Sequence, residues 1–320
     1  MESLVTGGAG FIGSHLCQRL LEDGYRVICL DNFITGRKEN IKHLLNNKNF
    51  SFIKDDVTKS PISHIPSPIS HIFHLASPAS PVDYQKYPIE TLMTNSLGTY
   101  NMLKLARKKK AKLLYASSSE VYGDPEQHPQ KEAYWGYVNP VGPRACYDEA
   151  KRFAEALTMS YFRKFDLDVR IVRIFNTYGP RMKPDDGRVV STFVNQALKN
   201  KPMTVFGDGT QTRSFCYITD MVEGLIAAMF KDKTKGEIFN LGKPSEVRII
   251  ELAKMIKKLT KSHSEIKFTK LPTDDPRKRK PDISKARKVL NWQPKVSLEE
   301  GLKETIEYSI DGTRENYESR

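Results

Sequence analysis

The chain opens on a short apolar run, Leu4, Val5 and Thr6, followed by glycines at 7, 8, 10 and 13 and then by apolar positions at helical spacing through about Asp23. This reads as strand, turn and amphipathic helix. Tyr25 to Leu30 is a second apolar run that ends in Asp31, and further runs at Phe50–Lys54, His71–Ala76, Leu113–Ser117 and Val169–Ile174 predict four more strands. Between them, Ile89–Lys110 and the stretch from Tyr147 to about Lys164 carry the period of a helix. The first closes on Arg107, Lys108, Lys109 and Lys110, cations suited to a helix C-terminus. Gly123 to Cys146, rich in Pro, Gly and aromatics, predicts a long loop of the kind that carries function in compact domains. Strands alternating with helices predict an α/β chain with a doubly wound parallel sheet.

After about residue 175 the alternation loosens. Short helices at about Val189–Lys199, Asp220–Phe230, Ile249–Leu259 and Leu298–Tyr308 mix with short strands around Val205, Phe215 and Phe239. This predicts an N-terminal domain over 1–175, joined by returning elements from about 213–240, and a smaller mixed α/β lobe over 176–320, interleaved without a clean linker. Asp311 to Arg320 is polar and reads as a frayed end.

A chain of 320 residues buries a large core. No run approaches the length of a membrane span, and the chain begins almost on its first strand without a basic n-region or apolar h-region, so no membrane or targeting segment is expected within these 320 residues. The net charge of +13 calls for an anionic partner, but the Lys and Arg residues are scattered along helices with no nucleic-acid-binding motif. The densest run, Arg277 to Lys280, sits beside Asp274, Asp275 and Asp282; a solvated face plus phosphate-binding arginines accounts for the charge, and no nucleic acid is expected. Cys17, Cys29, Cys146 and Cys216 are far apart in sequence and form no Cys-x-x-Cys. They read as free thiols in a reducing, cytoplasmic compartment, with no metal site.

The strand, glycine turn, helix and acid-terminated strand make up a Rossmann-like dinucleotide-binding unit. The glycines let the backbone approach a pyrophosphate at the helix N-terminus. Their spacing, Gly7, Gly10 and Gly13, is G-x-x-G-x-x-G and not the commoner G-x-G-x-x-G. Asp31 suits the adenosine ribose hydroxyls and repels a 2′-phosphate, which predicts NAD over NADP, although Arg37 and Lys38 lie close by. Asp56 and Val57, after the third strand, suit an adenine. Ser77 to Pro81 predicts a rigid proline loop at the carboxyl end of the sheet, or simply a strand exit, and His71 and His74 read as strand residues.

Tyr147 and Lys151 lie four apart, on one face of the predicted helix. A nearby ammonium and a cationic nicotinamide both favour the phenolate, so Tyr147 can take a proton from a substrate hydroxyl that Ser118 or Ser119 holds. Tyr-x-x-x-Lys also arises by coincidence on amphipathic helices; the dinucleotide unit upstream gives it weight.

Together these features resemble the extended short-chain dehydrogenase/reductase superfamily over nearly the whole chain. Within it, His74–Pro81, Ser119–Pro125, Gly142–Glu149, Arg173–Arg181 and Asp275–Asp282 resemble the UDP-glucuronic acid decarboxylase (UDP-xylose synthase) family. The resemblance implies oxidation of UDP-glucuronate at C4, loss of CO2 from the 4-keto sugar and re-reduction to UDP-xylose. It implies that Tyr147 is the acid/base, that Lys151 is its electrostatic partner on the nicotinamide ribose, and that Ser118 positions the reacting oxygen with Ser119 beside it. It places Glu120 and Arg279 near the decarboxylation centre; the alternative for these two is a loop carboxylate and a surface arginine. NAD contacts are implied for Gly7, Gly10, Phe11, Ile12, Gly13, Asp31, Asn32, Phe33, Gly36, Arg37, Asp56, Val57, Leu75, Ala76, Ser77, Thr94, Ala116, Tyr147, Lys151, Thr177 and Arg188. Substrate contacts are implied for Ser80, Asn176, Arg181, Arg188, Arg213 and Arg279. The related 4,6-dehydratases have an acid where Ser119 stands, which disfavours dehydration. UDP-glucuronate 4-epimerase and an inactive NAD-binding scaffold remain the alternatives. The family analogy also implies a homodimer through a four-helix interface.

Overall fold

The computed structural model describes residues 1–59, 65, 68–271, 276 and 278–318, the side chains of 312–318 excepted. Strands β1 (Glu2–Thr6), β2 (Arg26–Asp31), β3 (Phe50–Lys54), β4 (His71–His74), β5 (Lys112–Ser118) and β6 (Val169–Ile174) follow the apolar runs closely. The later strands are short: β7 (Thr177–Tyr178), β8 (Met203–Phe206), β9 (Thr212–Ser214), β10 (Cys216–Tyr217), β11 (Ile238–Leu241), β12 (Glu246–Arg248), β13 (Ile266–Thr269) and β14 (Lys278–Arg279). The helices are α1 (Phe11–Glu22), α2 (Pro81–Lys86), α3 (Pro88–Met93), α4 (Thr99–Lys109), α5 (Ala145–Phe165), α6 (Val189–Leu198), α7 (Ile218–Phe230), α8 (Ile249–Leu259), α9 (Ser284–Leu290) and α10 (Leu298–Glu318).

The main sheet has seven parallel strands in the order β11-β6-β5-β4-β1-β2-β3. Helices cover both faces, so the strands are buried on both sides and read as continuous apolar runs. One core gathers Leu16, Leu20, Phe73, Val172 and Leu225 against α1 and α7, and the other gathers Ile72, Leu103, Leu113, Ala154 and Ile171 against α4 and α5. The strand order reverses between β1 and β4, and open α/β sheets bind ligands beyond the carboxyl ends of the strands at such a point. His71 and His74 are buried strand residues, and His74 lies 2.7 Å from the Thr6 hydroxyl and 3.2 Å from that of Thr99.

Three expectations change. The helix expected over Ile89–Lys110 contains a π turn, Thr94–Gly98, between α3 and α4. It lets Asn95 reach inward, where its amide donates to Ser77 Oγ at 2.8 Å and its carbonyl accepts from the Tyr115 hydroxyl at 3.0 Å. The proline loop ends in a short helix, α2, because Ser80 caps it: the Ser80 hydroxyl accepts from Asp83 N at 3.1 Å and donates to Asp83 Oδ2 at 2.7 Å. The C-terminal stretch expected to fray continues α10 to Glu318, since it lacks proline and carries helix-tolerant Glu and Arg.

Beyond β6 the small sheets are β10-β7, β12-β9-β14 and β13-β8, while α7 and β11 return to the main sheet. Of the basic loop, Asp274, Asp275 and Arg277 lie outside the described residues. Among the described residues no helix is long and apolar enough to cross a membrane, and all four cysteines are free.

Behind the carboxyl end of β6, Arg173 forks onto Glu155 of α5, with Nε to Oε1 at 2.9 Å and Nη2 to Oε2 at 2.7 Å. Its Nη1 donates to the Tyr122 hydroxyl and to Glu132 O, both at 2.9 Å. Removing one partner strands the other charge, so Arg173→Met is expected to lower the unfolding free energy by about 3–5 kcal/mol in chemical denaturation. A loss below about 1 kcal/mol would show that Glu155 finds water or another partner.

Candidate active site

The glycine turn crosses the carboxyl end of β1 and leads into α1. A side chain at Gly7, which has φ +70°, would come within 2.8 Å of the Ala76 backbone, and one at Gly13 within 2.1 Å of Gly7 O. Only glycine allows this closeness, and it leaves the first N–H groups of α1 facing the cleft. At the end of β2, the Asp31 carboxylate accepts from Ala9 N at 3.0 Å and Phe33 N at 2.8 Å. Burial nevertheless raises its pKa above the ordinary value. A side chain at Gly36 would strike Asp31 Oδ1 at 2.6 Å, so Gly36 keeps the carboxylate open to the cleft. Arg37 donates through Nη2 to Asn40 Oδ1 and Arg181 O, both at 3.1 Å. Asn32 donates to Asp56 at 2.9 Å, and Phe33 packs on Phe52. The turn, the acid and these loops have the shape and donor set of a dinucleotide cradle.

One cleft of about 560 Å³ joins this cradle to Tyr147 and Lys151. Gly7, Gly10, Phe11, Ile12, Gly13, Asp31, Asn32, Gly36, Arg37, Asp56, Val57, Leu75, Ala76, Ser77, Thr94, Ala116 and Thr177 line it, as do Ser80, Asn176, Arg181, Arg188, Arg213 and Arg279. Phe33, expected among the cofactor contacts, does not line the cleft but packs against β3. Lining is not convergence. Ser80 is engaged in capping α2, and the Arg181 guanidinium donates to Gln18 of α1.

Tyr147 and Lys151 sit one turn apart near the start of α5, with the Lys151 ammonium 5.6 Å from the Tyr147 ring centroid. The Tyr147 ring stacks on Tyr84 at 5.0 Å. Lys151 Nζ donates to Ala116 O at 2.9 Å. Burial pushes the Tyr147 phenol up to about 12, with the Ser118 hydroxyl pulling it part of the way back. Burial also pushes Lys151 down to about 7, against the opposing charge of Glu155. Desolvation is the largest influence at both groups; the expected activation rests on the ammonium and a cationic nicotinamide together.

Ser118 caps the turn Ser119–Tyr122 by accepting from Glu120 N at 3.2 Å. Glu120 bonds two guanidinium groups, Arg144 and Arg279. Burial alone would raise its carboxyl; Arg279 and then Arg144 hold it at about 2. Arg279 is 3% exposed, reaches β14 beside Arg213 of β9, and also donates to Gly123 O at 2.7 Å and to Ser119 Oγ at 3.4 Å. It is not the surface arginine of the alternative reading. Arg188, at the start of α6, lies 3.5 Å from Asp186 and exerts a lowering effect on the Tyr147 phenol.

Sequence reasoning missed Tyr84 and Arg144. Arg144 lies three residues before Tyr147, a helical spacing that puts both on one side of the helix start and was a usable signal. Tyr84 gave none without α2. Its hydroxyl is buried beside Tyr147 without a hydrogen-bond partner. Among the described residues no group of three His, Cys, Asp or Glu gathers as a metal would require.

The model for the family described as GDP-mannose 4,6 dehydratase matches residues 4–305. UDP-glucuronic acid decarboxylase 1 of Arabidopsis thaliana is 55% identical over 302 residues, 94% of this chain and 68% of that protein. UDP-glucuronic acid decarboxylase 1 of Xenopus tropicalis is 52% identical over 95% of this chain and 71% of that protein. Among solved structures, UDP-glucuronic acid 4-epimerase from Bacillus cereus, in complex with UDP-glucuronic acid and NAD, superposes with a TM-score of 0.88 at 34% identity, covering 97% of this chain and 99% of that one. The fold, the cradle and these likenesses agree: the chain belongs to the UDP-glucuronic acid decarboxylase family of the extended short-chain dehydrogenases/reductases.

Proposed function

We propose that this protein converts UDP-glucuronate to UDP-xylose and CO2 with NAD held in the cradle. The observation that carries this reading is the Glu120 carboxylate pinned between Arg144 and Arg279 beside Tyr147, with a serine at position 119. Bound NAD supplies a reversible hydride acceptor at C4. The chain's own groups do the rest. Gly7, Gly10 and Gly13 admit the pyrophosphate, Asp31 takes the adenosine ribose, and Lys151 faces the second ribose. Tyr147 takes the proton of the C4 hydroxyl while Ser118 holds the same oxygen, and Tyr147 returns that proton when C4 is reduced again.

A 4-ketone is β to the sugar carboxylate, so the electrons released with CO2 enter an enolate instead of a bare carbanion. Arg279 faces that carboxylate, with Glu120 setting the angle of its guanidinium. Fixed cations in a water-poor pocket stabilise charge as it develops, and they need no reorganisation to do so. Asn176, Arg188 and Arg213 suit the UDP moiety, since an arginine fork matches a diphosphate. The Ser119 hydroxyl is too weak an acid to protonate a leaving hydroxyl well, which favours decarboxylation over dehydration. The cradle belongs mainly to the domain of residues 1–175, with returning elements from about 213–240, and the nucleotide-sugar grip mainly to the interleaved lobe of residues 176–320.

A homodimer is part of the proposal. Ile89, Leu92, Met93, Leu97 and Tyr100 on α3–α4 and Phe153 on α5 are exposed apolar side chains on adjacent helices, and a second copy of the same face covers them. A reducing, cytoplasmic compartment is supported by the four free thiols, of which Cys17 and Cys29 both lie against Gly8 without a disulfide between them.

Incubation with UDP-glucuronate and catalytic NAD is expected to yield CO2 and UDP-xylose; UDP-galacturonate without gas would make the protein an epimerase. In the same assay Tyr147→Phe is expected to lower kcat by about 10²–10⁴-fold with NAD still bound, and a variant as fast as the parent would remove Tyr147 from the chemistry. Light scattering is expected to give twice the 36.5 kDa chain mass, and the single-chain mass at micromolar concentration would rule out the dimer.

A further inference from the structure

Arg279 reaches Glu120 from a two-residue strand, β14, which has little pairing of its own to hold it. The residues just after it are fixed by one residue of the long loop, through two backbone hydrogen bonds and one from its side chain. Gln130 is fully buried and forms an isolated bridge with Pro281. Its N–H donates to Lys280 O at 2.9 Å, its carbonyl accepts from Asp282 N at 2.8 Å, and its side-chain Oε1 accepts from Lys280 N at 2.8 Å. Its Nε2 donates to Gln127 O at 2.6 Å, which fixes the amide's orientation.

Asn240 at the carboxyl end of β11, also fully buried, completes the clamp: its Nδ2 donates to Gln130 O at 3.0 Å and to Asp282 O at 3.3 Å. Asn240 Oδ1 in turn accepts from the Tyr122 hydroxyl at 2.8 Å, and that hydroxyl accepts from Arg173. The segment beside Arg279 is thus hung from the main sheet through Gln130.

We infer that Gln130 is a positioning residue for the Arg279 guanidinium, holding the backbone at Lys280–Asp282 so that the arginine meets both Glu120 and the substrate carboxylate. The inference rests on the reading of Arg279 as the carboxylate-facing group. A glutamine suits the role because it accepts from one backbone N–H and donates to another carbonyl while uncharged. A methionine of similar length leaves the part-buried Lys280 N–H without its side-chain acceptor, and the strand must shift to find water.

The test compares two reactions of each variant. One is CO2 release from UDP-glucuronate; the other is NAD reduction by UDP-xylose, whose sugar has no carboxylate. Gln130→Met is expected to lower kcat for CO2 release about ten- to hundred-fold, the scale of a small misplacement of a reacting group. NAD reduction by UDP-xylose is expected to stay within about two-fold, because Tyr147, Lys151 and Ser118 are untouched. Hydrogen exchange is expected to quicken at the Lys280 and Asp282 amides.

Equal losses in both reactions, no loss in either, or unchanged exchange at those amides would overturn the inference. Should Gln130→Met fail to fold, Gln130→Glu decides. Burial favours its neutral acid, which still accepts from Lys280 N–H and donates to Gln127 O, so in mildly acidic buffer it is expected to keep CO2 release where other polar replacements such as Gln130→Thr lose it. A Glu variant no better than Thr would overturn the inference. A parent that releases no CO2 contradicts the proposed function instead, and amide exchange still decides whether Gln130 holds the segment.

Discussion

The site depends on a lysine ammonium that has been shut away from water. Lys151 is 3% exposed and is held by one carbonyl, Ala116 O, with Glu155 supplying the opposing charge one turn further along α5. Placing a cation there costs several kcal/mol, and its surroundings offset only part of that, so its pKa falls to about 7: β5 delivers the carbonyl, and the Arg173 fork fixes Glu155. The benefit is that charges act over longer distances where water is excluded. Tyr147, stacked on Tyr84 in the same dry wall, stays a phenol until another cation arrives in the cleft.

The second constraint is convergence. The groups that meet near Tyr147 come from six separate stretches: α2, the turn after β5, the start of α5, the start of α6, β9 and β14. One continuous polar chain joins the supports of several of them. Ser117 donates to Glu155 at 2.6 Å, Glu155 holds Arg173, Arg173 reaches Tyr122, and Tyr122 reaches Asn240, which holds Gln130 and Asp282. The helix that carries Tyr147 and Lys151 and the strand that carries Arg279 are therefore tied to one network. A fully satisfied buried network rigidifies its members, which suits a site where small displacements matter.

The main sheet was legible because parallel strands covered on both faces leave uninterrupted apolar runs, and the glycine turn because close backbone approach admits no other residue. Tyr147 and Lys151 were legible because four residues make one helical turn. Helix α2 was missed although Ser80, Pro81 and Asp83 are a capping signal; the two prolines of Ser77–Pro81 masked it. Strands such as β12 and β14 have no local signature, since two or three residues are extended only because Thr212–Ser214 pairs with them from far along the chain. The same distance hid the role of Gln130. The desolvation of Tyr147 left no signal in the sequence for a different reason: spacing shows that a cation is near, but only the fold shows how much water has been removed.

The central claim is that burial keeps Tyr147 protonated and that a cation bound in the cradle releases it. Proteins labelled with 13C at the tyrosine ζ-carbon, parent and Tyr147→Phe, identify the Tyr147 resonance by difference. Without dinucleotide it is expected to titrate near 12, as burial dictates. With NAD bound it is expected to titrate below about 9, because a neighbouring positive charge favours the phenolate. A resonance that titrates at the same pH with and without NAD would contradict the account.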